Sequence, residues 1–540
     1  MNILQIVTLL MPEIVLSAFA LGALMMDLLL FQKVSVEKRH DFLGQGILIG
    51  LMAVFFLYVF QLRWDHIFIL GDGAFVASRL NTLFKLVVVG LTAIILFIGL
   101  KTPYSSHVGE YYSLMVFSLL GMVFLISSED LLMIFVGLEF ISLTLYVLTA
   151  FQKGARRSVE GGLKYFIFGS LSAGFLLFGL SYIYGATGST GLKEIAAMLT
   201  PEHLPKVPMK MLNMGILFTL VGLGFKIAAV PFHLWAPDAY QGAPTPVTAM
   251  IATGSKVASF VALTKLLLGG LLGVAGSILV MPHGQAGWTL IVAVIAVLSM
   301  TLGNLAAIVQ RNVKRLLAYS SISHAGYILV AMVAMNASGV PATFARPSIY
   351  FYIIIYALTN VGAFGVVNAI ASKTGGDDFE HFTGMARRAP FLSLLMLIFM
   401  LSLAGIPPLA GFFGKFYLFA AALQADSQRL SLLWLVAFAI AMSAVSLYYY
   451  LKLMKQMYVV PPTDRSQVSS SREMRAVLGL VGLAVVLLGI FPSDMVGFFQ
   501  NWNGHPDPVW QASIGVSQPS AVTSPTESKL QATRSLSHTM

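Results

Sequence analysis

Apolar runs long enough to cross a bilayer recur along almost the whole chain and constrain its fold more than any other feature. One helical crossing takes about 20 predominantly apolar residues. A window of about 19 residues finds fourteen such stretches. They run roughly over 3–30, 42–61, 80–100, 111–127, 131–151, 162–185, 211–230, 243–268, 287–309, 317–336, 348–371, 391–421, 430–457 and 476–499. In lipid every backbone N–H and C=O must be paired within the segment, so runs of this length are helices. The expected fold is therefore an all-α polytopic membrane protein of about 14 transmembrane helices. Only 10% of the 540 residues are charged, against about 25% in soluble proteins, which excludes a soluble enzyme and a disordered chain. Cysteine is absent, which excludes thiolate-held zinc and ordinary iron–sulfur clusters. No basic region precedes the first run, Met1–Met11, and Pro12 and Glu13 follow it, so a retained helix is expected rather than a cleaved leader.

The charges sort by side. About 18 of the 33 Lys and Arg fall in one set of alternate loops and about 9 in the opposite set. By the positive-inside rule the richer set is cytoplasmic, and both termini lie outside. The net charge of +10 is thus mostly a topology signal. Its scatter over short loops argues against a nucleic-acid partner.

Six cations remain inside the spans: Lys85, Lys164, Lys226, Lys256, Lys265 and Lys415. All are lysine. A buried lysine can surrender its proton, whereas arginine keeps it. A fixed charge at the bilayer centre only costs, about 2.5–3.5 kcal/mol, while a switchable one can carry protons. Lys85 and Lys265 lie near helix ends, where a snorkelling role is the simpler expectation. Among the acids, Glu139 is the expected exception to a loop or helix-end position. It lies eight to ten residues beyond Glu129 and Asp130, about 13–15 Å deep at 1.5 Å per residue. A neutral, hydrogen-bonded carboxyl would be the bland reading; with lysines nearby, a proton-relay partner is the more economical one.

Two spans are interrupted. The seventh reads Gly224-Phe225-Lys226-Ile227-Ala228-Ala229-Val230-Pro231 and continues to Asp238; the twelfth reads Leu403-Ala404-Gly405-Ile406-Pro407-Pro408 and continues to Lys415. Proline removes a donor and clashes with the preceding turn, so both helices should break there. The breaks occupy matching places in two five-helix units, spans 4–8 and 9–13. Five is odd, so the second unit should be inverted, the arrangement of ion-translocating transporters. His324, in Ser320-Ser321-Ile322-Ser323-His324, can pass a proton between its two nitrogens, or can simply be a hydrogen-bonded packing residue. Gly222-Leu223-Gly224 lacks a third glycine and a flanking strand, so no dinucleotide fingerprint exists. The expected units are an N-terminal three-helix segment 1–110, repeats 111–268 and 269–460, a loop and last helix 461–502, and a flexible polar tail 503–540.

The run from Phe225 through Trp235-Ala236-Pro237-Asp238 to Val247, with Ser320–Tyr327 and Gly405–Lys415, resembles the antiporter-like membrane subunits of respiratory complex I. The likeness covers roughly residues 110–460. Tyr240-Gln241-Gly242-Ala243-Pro244 and Gly254-Ser255-Lys256 resemble the N-type subunit (subunit 2 in mitochondria and chloroplasts) more than its L and M paralogues. Lys415 argues against the M type, where glutamate is usual, and no long amphipathic helix follows the fourteenth span as in the L type. The resemblance implies Glu139 and Lys226 as an ion pair of one half-channel, Lys256 as a central relay, Lys415 as the terminal lysine of a second half-channel and Lys164 as a modulating lysine. It also implies proton translocation in a bacterial inner membrane, with both termini periplasmic, coupled to NADH-to-quinone electron transfer. No cofactor is expected in this chain; NADH, FMN, iron–sulfur clusters and quinone are expected on partner subunits, with subunits M, K and J as membrane neighbours. A subunit of a cation/proton antiporter or membrane-bound hydrogenase complex is the alternative, and a structural spacer with idle titratable sites is another.

Overall fold

The computed structural model describes residues 3–64, 67–100, 102, 105–276, 287–335, 342–425, 430–462, 464 and 466–501. The polar tail from 503 lies outside the described residues. Helices dominate: α1 (Ile3–Leu29), α2 (Val36–Gln61), α3 (Arg79–Gly99), α4 (Val108–Ser127), α5 (Leu131–Thr149), α6 (Arg156–Thr187), α7 (Leu192–Met198), α8 (Met209–Lys226), α9 (Ala236–Gly242) and α10 (Thr245–Ala252) form the first part of the chain. The second part holds α11 (Gly254–Lys265), α12 (Trp288–Ile308), α13 (Val313–Ala334), α14 (Ala342–Thr374), α15 (Met385–Arg388), α16 (Pro390–Ala404), α17 (Ala410–Gln424), α18 (Leu433–Tyr458), α19 (Arg472–Ile490) and α20 (Pro492–Asn501).

Among the described residues, thirteen helical stretches are long and apolar enough to span a membrane. The fourteenth expected span is the one divided into α16 and α17 by Gly405–Leu409. Every apolar run therefore became a helix or a broken helix, because nothing else satisfies its backbone in lipid. Three features were not foreseen. The eighth span breaks at Thr253 between α10 and α11, with no proline to announce it. A turn of π-helix, Leu266–Gly270, then extends α11. A short antiparallel hairpin, β1 (Phe68–Leu70) and β2 (Phe75–Ala77), pairs Phe68 with Ala77 and Leu70 with Phe75.

Burial grades from the centre outwards. The run α10–α11 is enclosed on all sides, and α13 and α14 nearly so, whereas α6 and α19 are covered on one face only. A helix that is apolar all round belongs in such an interior. The long α14 packs against α3, α10, α16, α17 and α19, and so ties the N-terminal helices to both repeats. The repeats meet where α9 and α10 touch α13 and α14. The discontinuities after Lys226 and at Thr253 fall inside this packed zone, where protein covers the unpaired backbone, whereas at the one after Ala404 the residues Pro407 and Pro408 are exposed.

Candidate functional site

Lys226 is the last residue of α8. Its helix stops because Ala228 turns to φ 56° and Pro231 supplies no donor. Trp235 stacks on Tyr165 with ring centroids 4.0 Å apart and donates its indole N–H to the Phe225 carbonyl at 3.1 Å. The indole thereby adds a second donor to a carbonyl at the end of the broken helix, which also accepts from the Ala228 N–H at 3.0 Å, and fixes the angle at which the chain leaves it. Glu139 sits at mid-helix in α5, and its Oε1 lies 3.9 Å from Lys226 Nζ, with side chains 21% and 5% exposed. Lys226 also donates to Ser142 Oγ, one turn along α5 from Glu139. Glu139 Oε1 has no hydrogen-bond partner. The pair is thus close but not clasped.

Lys256 opens α11 just past the break at Thr253. Its ammonium donates to the Ser321 carbonyl at 2.9 Å and to Ser321 Oγ. The Tyr356 hydroxyl donates to the same Oγ at 2.7 Å, and Tyr240 lies 3.3 Å from it. On the same face of α13, His324 Nδ1 meets the Tyr352 hydroxyl at 2.5 Å and Nε2 meets the Tyr450 hydroxyl at 3.1 Å. Tyr450 in turn reaches Ser320 Oγ at 2.5 Å. Sequence reading singled out His324 but gave none of these tyrosines a role; Tyr240 comes from α9, Tyr352 and Tyr356 from α14, and Tyr450 from α18.

Lys415 lies in α17 beyond the second break. Its ammonium donates to the carbonyls of Leu403 at 2.9 Å and Ala404 at 3.0 Å, and to Ser443 Oγ at 2.8 Å. Those carbonyls are the unused acceptors at the C-terminus of α16, the negative end of its dipole. Gly405 terminates α16 at φ +88°, and a Cβ there would come within 3.1 Å of Lys415 Cδ. The Tyr327 ring, also from α13, covers the ammonium at 5.0 Å.

Lys164 stands apart from this row. It is 39% exposed on the third turn of α6 and pairs with Glu160 and with Asp238, each at 2.7 Å. Asp238 also binds Arg315 of α13. Burial pushes the Asp238 carboxyl up, but the Lys164 and Arg315 hydrogen bonds outweigh it, and the net shift is downward.

Lys85 and Lys265 do not snorkel. Lys85 is 1% exposed and donates to Glu13 Oε1 at 2.9 Å; Lys265 is 3% exposed, 3.5 Å from Glu129 Oε1. Glu139 is consequently not the only acid inside the helices. Glu13, buried in α1, was missed because it follows Pro12 near the start of the chain, where an acid reads as a helix-end residue. Among the described residues no group of His, Cys, Asp and Glu could hold a metal ion.

Residues 128–443 match the family described as NADH:quinone oxidoreductase/Mrp antiporter, TM. NADH-quinone oxidoreductase subunit N 2 of Acidobacterium capsulatum is 43% identical over 498 residues, 91% of this chain and 97% of that protein. A chain of respiratory complex I from Thermus thermophilus superposes with a TM-score of 0.71 at 32% identity, over 90% of this chain and 98% of that one. A chain of the Mrp complex from Dietzia superposes at 0.75 with 20% identity, over 93% and 99%, a likeness of fold alone. The broken seventh and twelfth spans, the lysine at each break and this likeness along the chain's length agree: the chain belongs to the NADH:quinone oxidoreductase/Mrp antiporter transmembrane family, and within it to the subunit N relatives.

Proposed function

We propose that this chain carries protons across the membrane as the N subunit of an NADH:quinone oxidoreductase, with NADH, FMN, iron–sulfur clusters and quinone on partner subunits. The observation that carries this reading is the set of buried lysines, each placed at a helix break, of which Lys226 faces Glu139 of α5 while Lys256 and Lys415 are joined by the polar face of α13. Lys256 is held by Ser321, His324 lies between Tyr352 and Tyr450, and Lys415 lies beneath Tyr327. The enzyme is an oxidoreductase at the level of the complex; this chain contributes the proton path. Subunits M, K and J are the proposed membrane neighbours, and the bacterial inner membrane with periplasmic termini is the proposed setting.

In the resting arrangement Glu139 favours the charged form of Lys226. Drawing Glu139 away removes that support, and the proton moves through water and side chains to Lys256. From there the α13 hydroxyls and His324 lead it toward Lys415. Two opposite charges 4 Å apart near a protein surface attract by about 4 kcal/mol, and moving one charge through about 150 mV takes about 3.5 kcal/mol. The two are of a size, so opening this one pair can drive one proton against a working membrane potential. Lys164, bound to Asp238 at the inner end of the break, would modulate how α8 and α9 sit.

The test uses the whole complex in sealed vesicles. Lys226→Ala and Glu139→Gln should each cut NADH-driven proton pumping about tenfold or more, the loss of a positioned proton-transfer group being worth about a hundredfold at its low end. Full pumping in both variants would overturn the assignment.

A further inference from the structure

Helix α12 carries no charged residue, yet one turn before its end it buries the amide of Asn304 completely. An amide in such a place costs free energy unless its donors and its acceptor all find partners. Here they do. Nδ2 donates to the Met300 carbonyl, one turn back, at 2.7 Å and to the Tyr327 hydroxyl of α13 at 3.1 Å. Oδ1 accepts from the Tyr449 hydroxyl of α18 at 3.0 Å. One side chain thus ties three helices together beside Lys415.

The Met300 carbonyl fixes which way the amide faces. A carbonyl only accepts, so the end of the amide against it is the NH2 end, and Tyr327 meets that same end. The Tyr327 oxygen therefore accepts from Asn304, and its own hydrogen must be given elsewhere. Ser443 interacts with this hydroxyl, and Ser443 Oγ also accepts from the Lys415 ammonium at 2.8 Å. The Ser443 hydrogen goes to the Ala404 carbonyl at 3.5 Å, which leaves the Ser443 oxygen open to both donors. The Tyr327 ring meanwhile covers the Lys415 ammonium at 5.0 Å. Tyr449, with its hydrogen on Oδ1, lies against Tyr450 with ring centroids 4.4 Å apart, and Tyr450 is a partner of His324. A leucine of similar size would pack α12 against α13 with no amide to satisfy. What the amide adds is direction.

We propose that Asn304 is a positioning residue for proton transfer at Lys415: its N–H turns the Tyr327 hydroxyl hydrogen toward Ser443 and keeps the Tyr327 ring over the ammonium. This rests on the proton-carrying reading above. The amide neither gains nor loses a proton, so it acts through Tyr327. Once Lys415 has given up its proton, its nitrogen accepts a hydrogen bond from Ser443, and Ser443 accepts one from Tyr327. A proton brought by water to the Tyr327 oxygen then moves on in one concerted shift. Tyr327 hands its hydrogen to Ser443, Ser443 hands its own to the Lys415 nitrogen, and each hydroxyl ends with one hydrogen as before. Because Asn304 only donates on this side, the new Tyr327 hydrogen cannot settle toward α12, and the chain resets facing Lys415.

The test uses the whole complex in sealed vesicles, with rates normalised to assembled complex. Asn304→Leu and Tyr327→Phe should each slow NADH-driven pumping about tenfold, the rate equivalent of one hydrogen bond. The double variant should be no slower than either single one, because both remove the same contact. If Asn304 only braced the helices, the two losses would multiply to about a hundredfold. The solvent isotope effect in D2O should rise in Asn304→Leu as proton transfer becomes the slow step, whereas a packing defect leaves it unchanged. Wild-type pumping by Asn304→Leu, multiplied losses in the double variant or an unchanged isotope effect overturns the assignment. Should Asn304→Leu fail to assemble, Tyr327→Phe decides, since it keeps the ring and loses only the hydroxyl; wild-type pumping by it overturns the assignment too. Lys226→Ala serves as the reference. If it blocks pumping while Asn304→Leu does not, only the role of Asn304 falls; if Lys226→Ala pumps normally, the proton-carrying reading falls and takes that role with it.

Discussion

The Lys415 ammonium has three N–H donors and finds three acceptors, two carbonyls of α16 and Ser443 Oγ. Lys226 has one hydrogen bond, to Ser142, and a carboxylate at 3.9 Å. A fully paired ammonium is held in place; a partly paired one has room for water and for movement. On the proposed path, the two lysines would therefore take different tasks, seating for Lys415 and switching for Lys226. Gly405→Ala tests the seat. A residue with a Cβ at φ +88° costs about 1–2 kcal/mol, and here it also crowds Lys415. The variant should melt at a lower temperature in detergent and pump more slowly, whereas Ala404→Gly should leave the Lys415 contacts in place. The lysines were legible from sequence because a cation in an apolar run is conspicuous. Their hydroxyl partners were not: the Lys256 acceptor, Ser321, lies 65 positions away, and serine in an apolar helix is common as a residue bonded to its own backbone. Glu13 was hidden in the same way, 72 positions from the lysine it binds.

At the scale of elements, proline announced two of the three breaks. The third, at Thr253, comes from a backbone turn to φ −120°, ψ −81° before Gly254, a choice that packing makes and composition does not advertise. The hairpin was invisible for a different reason, since strands of three residues are too short for alternation to register. The break after Lys226 is held open by Trp235, fully buried and stacked on Tyr165. Trp235→Ala removes the stack and the indole hydrogen bond to the Phe225 carbonyl. It should destabilise the chain by about 3–5 kcal/mol, read as a lowered thermal midpoint. Trp235→Phe, which keeps a ring but has no N–H, should lose less. A destabilisation by Trp235→Ala no larger than that by Trp235→Phe would show that the stack does not hold the break.

Across the whole molecule, the two repeats are joined by polar contacts of α13 with α9 and the turn after it. Asp238 of α9, also held by Lys164 of α6, meets Arg315 of α13, and Lys314 donates to the Ala243 carbonyl at 2.9 Å. Because the Asp238 carboxyl is held below its usual range, its contribution to stability is present above the ordinary carboxylate pKa and is lost as the pH falls through the lowered one. Asp238→Asn should therefore be less stable than wild type at neutral pH, with the gap closing on acidification in a thermal-shift series. A gap that stays constant down to the acid limit would exclude this joint as its source. The two-unit plan itself was readable, because matching broken helices five spans apart leave a repeated mark in the sequence. The joint between the units was not, because its partners are ordinary loop and helix-end charges until folding brings them together.

The polar face of α13 has one more consequence. Ser320, Ser321, His324 and Tyr327 sit on a single rigid rod, Ser320 and His324 sharing Tyr450, Ser321 holding Lys256 and Tyr327 covering Lys415. An α-helix turns by about 100° per residue, so rolling the rod by a fraction of that angle would unseat all four at once. Lys256 and Lys415 would lose their link in the same instant, and no proton could slip back while the rod was turned. On the proposed path, α13 is thus also suited to be the clutch, engaging or freeing both halves in a single movement.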